Sequence, residues 1–211
     1  VLGIVVGLAA EARLARGLAG ETEPGGGTAN GATAAASRLV ARGATALLSF
    51  GLAGGLKPGL PAGTVLVPLT VVDGNGKIWQ ADQRLAQRFG EPSGSMLASD
   101  SILTTIADKR TAWERSGALG VDIESGAVAR IAAIHGLPFA VLRAVCDPAE
   151  RNLPPAALTA LDPQGRIQPS ALLRSLARHP DQIPALIALG REASRARTAL
   201  LARVKQIRPL P

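Results

Sequence analysis

The chain has 211 residues, 47% of them apolar and 18% charged, a composition that can bury a sizeable core and does not suit a disordered chain. One cysteine, Cys146, excludes an intramolecular disulfide framework and a multi-cysteine zinc site, and two histidines, His135 and His179, are too few for a histidine metal cage. The net charge of +7 is confined to the end of the chain, because residues 165–211 carry 9 basic and 2 acidic side chains while the remainder is balanced.

In chain order, Leu2–Val6 reads as a buried first strand rather than a secretory apolar region, since no basic segment precedes it and Glu11 follows closely. Ala9–Leu18 reads as a helix. Thr28–Arg42 is a second helical stretch, with Gly43 in the position that closes helices. Ala46–Phe50 is the next strand and is expected to stop at the glycine cluster Gly51–Gly59. Thr64–Val72 is again β-branched and apolar. Gly120–Ile123 is a short strand leading into a helix from about Glu124 to His135, and Phe139–Val145 is a buried strand. Strands that are apolar throughout and separated by helices point to the α/β class: one domain over 1–211, with a mostly parallel or mixed central sheet flanked by helices.

Residues 148–211 read as an extension of that domain. Prolines punctuate Asp147–Asp181, and a basic helix over 184–205 follows. At the helical period of about 100° per residue, Leu186, Leu189, Ala193, Leu200 and Val204 share a face, Arg191 and Arg195 lie opposite, and Arg197 interrupts the apolar face. The apolar runs fall short of the roughly 20 residues that span a bilayer. With no tyrosine, three Phe and two Trp, the chain offers little for bases to stack on, so nucleic acid is not an expected partner.

Open α/β sheets bind ligands at the carboxyl ends of their strands. Polar residues follow the predicted strands at Gly7–Glu11, at Gly51–Gly55, at Asp122 and Glu124, and at Arg143–Asp147. This topology can converge Glu11, Glu124 and Asp147 on one pocket. Taken singly, each has an ordinary structural reading: Glu11 and Glu124 as first-turn helix acids, Asp147 as a cap before Pro148. Cys146 reads as a small buried residue and His135 as a helix-terminal group.

Taken together, VVGLAAEARLA, SFGLAGGLKPGLPAGTVLVP, GVDIESGAVARIAAIHGLPF and AVLRAVCD occur in an order and spacing that resemble the nucleoside phosphorylase and methylthioadenosine/adenosylhomocysteine nucleosidase family. The resemblance implies cleavage of a purine N-ribosidic bond, which builds positive charge on the ribose and negative charge on the leaving base. It implies Asp147 as the acid that protonates the base and Glu124 as the acceptor of the ribose hydroxyls. Glu11 would be the group that orients and deprotonates a water, and Arg143 a cation beside the nucleophile. Ile123 would lie under the ribose, Asp122 is a further substrate-binding candidate, Ala53 and Gly54 give a close backbone approach, and Ile102 and Leu103 of SDSIL face adenine.

Leu52 stands where the nucleosidases carry a serine, which leaves room for phosphate as nucleophile. Such a phosphate would lie on Gly7, on the Gly25–Thr28 turn including Gly27, and on Arg143, with Arg13 and Arg42 as further candidates. The early GLAAEARLA, SFGLAGGL and the proline-interrupted extension ending in SRAR are most similar to the hopanoid-associated phosphorylases. That branch implies phosphorolysis of adenosylhopane to adenine and a ribosyl hopane phosphate. The alternative is hydrolysis of methylthioadenosine or adenosylhomocysteine, and a further alternative is a non-catalytic nucleoside-binding or membrane-surface protein. The expected setting is a cytoplasmic homo-oligomer, peripheral to the membrane through its basic tail. Phosphate is the expected co-substrate, and no metal or organic cofactor is expected.

Overall fold

The computed structural model describes residues 1–159, 174 and 178–207. Its elements are β1 (Leu2–Val6), α1 (Ala9–Ala15), β2 (Gly20–Pro24), α2 (Ala29–Ala41), β3 (Ala46–Gly55), β4 (Val65–Leu66), β5 (Thr70–Asp73), β6 (Ile78–Gln80), α3 (Gln83–Gln87), β7 (Ser95–Ala98), α4 (Ile106–Ser116), β8 (Gly120–Asp122), α5 (Ser125–Ile134), β9 (Phe139–Asp147), α6 (Pro155–Thr159) and, after a 3-10 turn at Pro180–Gln182, α7 (Ile183–Gln206).

The strands form one mixed sheet in the order β2-β1-β3-β8-β7-β5-β6, with β9 beside β3 and β4 beside β9. β1, β2, β3 and β9 run parallel, whereas β8 meets the end of β3 antiparallel. Alternation along the strands feeds two cores. Val5, Leu47, Val141 and Val145 pack under α2 and α5, while Leu2, Ile4, Val6, Leu48, Phe50 and Leu142 pack against α1 and α7.

The predicted helices lie where the pattern put them. Thr28 caps α2 by accepting from Gly31 N at 3.1 Å, and His135 is the C-terminal cap of α5. α1 is shorter than expected, ending at Ala15. Two strand expectations are corrected. β3 does not stop at Phe50 but runs through the glycines to Gly55, because β9 and β8 supply ladder partners on that stretch. Thr64–Val72 is not one strand: Pro68, which has no N–H to give a ladder, separates β4 from β5, and these pair with different strands. On α7 the buried side chains are Glu192, Ala196, Leu200 and Val204, so the core stripe is rotated from the expected one. Residues 160–173 and 175–177 of the predicted proline-rich excursion lie outside the described residues.

Candidate active site

The carboxyl ends of β1, β3 and β9 open onto a cavity of about 640 Å³. Of the site residues predicted from the sequence, these line it: Glu11, Glu124 and Asp147, then Asp122, Ile123, Ala53, Gly54, Ile102 and Leu103, then Gly7, Gly27 and Arg143. Arg13 and Arg42 do not. Arg13 is exposed on α1, and Arg42 pairs on the surface with Glu21 at 3.0 Å and Glu23 at 2.7 Å, tying the polar edge strand β2 to α2.

Arg143, 1% exposed, organises one side. Its Nε lies 2.8 Å from Asp122 Oδ2, its Nη2 donates to Glu124 Oε2 at 2.9 Å and to Ser49 Oγ at 2.8 Å, and its Nη1 donates to Leu52 O at 3.2 Å. Burial by itself would depress the guanidinium, but Asp122, Glu124 and Glu11 together hold it above its ordinary value. Asp122 is committed to this framework, since its Oδ1 accepts from Ser125 N at 3.0 Å and its Oδ2 accepts from the Ser125 hydroxyl. It therefore holds the first residue of α5 and stands against Arg143 while lining the cavity. Burial, reinforced by Asp122 and Glu11, outweighs the pull of Arg143 and pushes Glu124 up to about 7.

Among the described residues, Glu11 is held by main-chain hydrogen bonds. Leu8 N donates to Oε2 at 2.9 Å and Leu52 N donates to Oε1 at 2.9 Å. The side chain of residue 52 is immaterial to this arrangement, so the leucine in place of serine leaves Glu11 oriented. Two glycines make the room. A Cβ at Gly7 would stand 2.6 Å from Glu124 Oε1 and 3.2 Å from Glu11 Oε2. A Cβ at Gly51, where φ is +152°, would stand 2.6 Å from Arg143 Nη1 and 2.7 Å from each Glu11 oxygen. Gly7 therefore faces carboxylates, which is the wrong sign for the phosphate expected there.

Asp147 arrives by a bulge. The β3–β9 register pairs Ala53 with Val145 but Gly54 with Asp147, skipping Cys146, and both Cys146 and Asp147 then line the cavity. Lys109 Nζ lies 2.7 Å from Asp147 Oδ2, and the Cys146 thiol donates to Oδ1 at 3.1 Å. Burial pushes Asp147 above the usual carboxylate range, and Lys109 restrains that rise. Burial and the adjacent Asp147 push the Cys146 thiol up, so it stays protonated and serves as a donor.

Sequence reasoning missed Lys109, Ser49, Ser125 and the outer wall. A lysine at the apolar-face spacing of Ala112 and Trp113 on α4 was the available signal for Lys109. The wall is built by Leu186, Leu189 and Ala193 of α7 with Leu153 and Ala157, and Arg197 stands at the same cavity. Arg151 Nε donates to the buried Glu192 at 3.1 Å and anchors α7. Leu186, Leu189 and Ala193, placed by periodicity on one face with Leu200 and Val204, line the cavity, whereas Leu200 and Val204 join the core.

A mixed α/β sheet whose strand ends hold an arginine among three carboxylates, with a fourth carboxylate on a buried lysine, defines a polar reaction centre under an apolar wall. The family comparison gives that class its name: residues 13–178 match the model of the Phosphorylase superfamily, and the chain belongs to it. No protein of curated function matches the chain in sequence. Among solved structures, the chain is similar to the 5′-methylthioadenosine/S-adenosylhomocysteine nucleosidase of Helicobacter pylori at TM-score 0.68 and 14% identity, covering 97% of each chain. It is similar to the S-adenosylhomocysteine nucleosidase of Streptococcus pyogenes at TM-score 0.66 and 17% identity, covering 98% of this chain and 97% of that one. A futalosine hydrolase mutant of Helicobacter pylori matches at TM-score 0.59 and 15% identity, over 68% of this chain and 88% of its own.

Proposed function

We propose that the protein hydrolyses the N-ribosidic bond of an adenine nucleoside whose 5′ substituent is apolar, in the manner of the methylthioadenosine/adenosylhomocysteine nucleosidases that share its fold. The observation that carries this reading is the convergence of Glu11, Glu124 and Asp147 in one cavity, each fixed by a different device. Asp147, with its affinity for protons raised by burial, donates to the purine as the bond to C1′ breaks. Glu124 accepts hydrogen bonds from the ribose hydroxyls and offsets the positive charge that grows on the sugar. Glu11, with both oxygens fixed by backbone N–H groups, orients the attacking water and takes its proton. Leu186, Leu189 and Ala193 offer the 5′ substituent an apolar surface.

Water is favoured over phosphate by charge. Glu11, Asp122 and Glu124 crowd one guanidinium, whose Nη1 and Nη2 already donate to Leu52 O, Ser49 and Glu124 and whose Nε stands 2.8 Å from Asp122 Oδ2. A phosphate dianion placed there would meet carboxylates at short range in a medium of low dielectric.

A second reading, phosphorolysis of adenosylhopane, draws support from the apolar α7 wall and from Gly26, Gly27 and Thr28 at the N-terminus of the 13-residue α2, all of which line the cavity. Peripheral membrane contact through the basic tail belongs to this reading. The exposed Arg191 and Arg195 of α7 are the groups to reverse in charge, because Leu200 and Val204 of the same helix are core and deletion would disrupt it. Co-sedimentation with anionic liposomes that is unchanged by that reversal refutes the contact, and sedimentation equilibrium tests the homo-oligomer.

The deciding experiment measures adenine release from methylthioadenosine, adenosylhomocysteine and an adenosylated hopanoid, each with and without phosphate. Release from the thio-nucleosides independent of phosphate is expected. Release only with phosphate, and only from the hopanoid, establishes the second reading. Binding without release of adenine from any of them returns the chain to a nucleoside-binding role.

A further inference from the structure

Lys109 is fully buried, yet it does not line the cavity. Its Nζ lies 2.7 Å from Asp147 Oδ2, 3.3 Å from the Asp147 carbonyl oxygen and 3.0 Å from each of the Pro148 and Arg151 carbonyl oxygens. Three N–H bonds are thus spread over four oxygens, which leaves no donor for a ligand. These contacts fix one carboxylate oxygen of Asp147, the backbone that follows it, and Arg151, whose guanidinium grips Glu192 on α7. The other oxygen, Oδ1, receives only the weak thiol hydrogen bond of Cys146 among the described residues.

We propose that Lys109 is a positioning residue for Asp147: it keeps Oδ2 as the paired oxygen, leaves Oδ1 to carry the transferable proton, and stands ready to neutralise the carboxylate when that proton leaves. This rests on the nucleoside-cleaving reading above. In the step concerned, the electron pair of the broken N–C1′ bond goes to the base, and the proton on Oδ1 passes to a purine nitrogen. The carboxylate left on Asp147 then faces an ammonium already in place. Negative charge develops on Asp147 only as the reaction proceeds, so Lys109 contributes more to the transition state than to the bound substrate. No other cation is in direct contact with this carboxylate among the described residues. Cys146 is its neighbour on β9, Arg151 and Glu192 form a pair on the α7 side, and Glu11, Asp122, Glu124 and Arg143 share the cavity.

The test is Lys109→Met, assayed by adenine release from methylthioadenosine across pH. The expected result is a kcat lowered about 10–100-fold with KM within about threefold. The high-pH limb of the profile is expected to move upward by about one pH unit or more, since loss of the cation favours the protonated acid. A folded Lys109→Met protein whose limb does not move overturns the proposal, as does a change confined to KM. Where Lys109→Met does not fold, Lys109→Met/Asp147→Asn decides. Recovery of cooperative unfolding identifies the Asp147 charge as what Lys109 serves, whereas continued failure assigns Lys109 to the loop carbonyls alone and overturns the proposal. If the wild-type chain releases no adenine, the functional reading fails separately. Lys109 is then tested by carboxyl-carbon NMR titration of Asp147, assigned with Asp147→Asn, and a titration unmoved by Lys109→Met overturns it.

Discussion

Gly51→Ala is the perturbation that most directly tests whether the site is built on close backbone approach. The added methyl would stand 2.6 Å from Arg143 Nη1 and 2.7 Å from both Glu11 oxygens, against an ordinary contact distance of 3.4 Å or more. Arg143 is buried and engaged by Asp122, Glu124, Ser49 and Leu52, so it is Glu11 that must yield. Moving it breaks or bends the hydrogen bonds from Leu8 N and Leu52 N, each worth about 1.5–3 kcal/mol for a charged acceptor. Holding a non-glycine residue at such a φ adds about 1–3 kcal/mol. The expected loss is therefore about 4 kcal/mol or more, a large part of the roughly 5–15 kcal/mol that keeps a domain folded. Gly43→Ala is the control: φ there is also positive, at +89°, but nothing lies within 4 Å, so only the backbone cost of about 1–2 kcal/mol is expected. Urea unfolding reports both variants, and adenine release from methylthioadenosine is expected to fall at least about 100-fold for Gly51→Ala. A Gly51→Ala protein that is no less stable than Gly43→Ala and keeps its activity would refute the reasoning.

Asp147→Asn is expected to lose turnover by about 100-fold or more with little change in substrate binding, whereas Glu124→Gln damages both kcat and KM; steady-state kinetics separate the two. Glu124 also makes stability depend on pH. Its affinity for protons is raised from 4.5 to about 7, so the folded state binds the extra proton between those values, and the associated stability is fully present below about 4.5 and lost as pH rises through 7. Unfolding free energies at pH 5 and pH 8 are expected to differ more in the wild type than in Glu124→Gln, by as much as about 2.5 kcal/mol, and equal differences would contradict the placement. On the outer wall, Leu189→Arg puts a charge on a half-buried surface of the cavity. It is expected to raise KM for methylthioadenosine about tenfold or more while changing adenosine, which lacks the apolar substituent, much less; equal effects on both substrates would remove α7 from the 5′ subsite.

The amino-acid sequence by itself determined the elements whose side chains are apolar on both faces or periodic on one. Leu2–Val6 and Phe139–Val145 announce buried strands, and Thr28 and Gly43 bound α2, because burial and capping act within a few residues. The same locality put Glu11, Glu124 and Asp147 at strand ends, where an α/β sheet collects them. Tertiary structure decided what depends on partners far away in the chain. β2 is polar and half-exposed, so nothing in GETEP marks it as a strand until β1 pairs with it. The glycines of β3 extend rather than turn because β8 and β9 hydrogen-bond to them. Lys109 becomes the partner of Asp147 across 38 residues of sequence. Arg143 reads in sequence as a cation beside the nucleophile, able to hold water, phosphate or carboxylates, and in the fold it is the carboxylates of Asp122, Glu124 and Glu11 that surround it. A side chain's type is written in the sequence, but its charge environment is the sum over neighbours that only folding brings together.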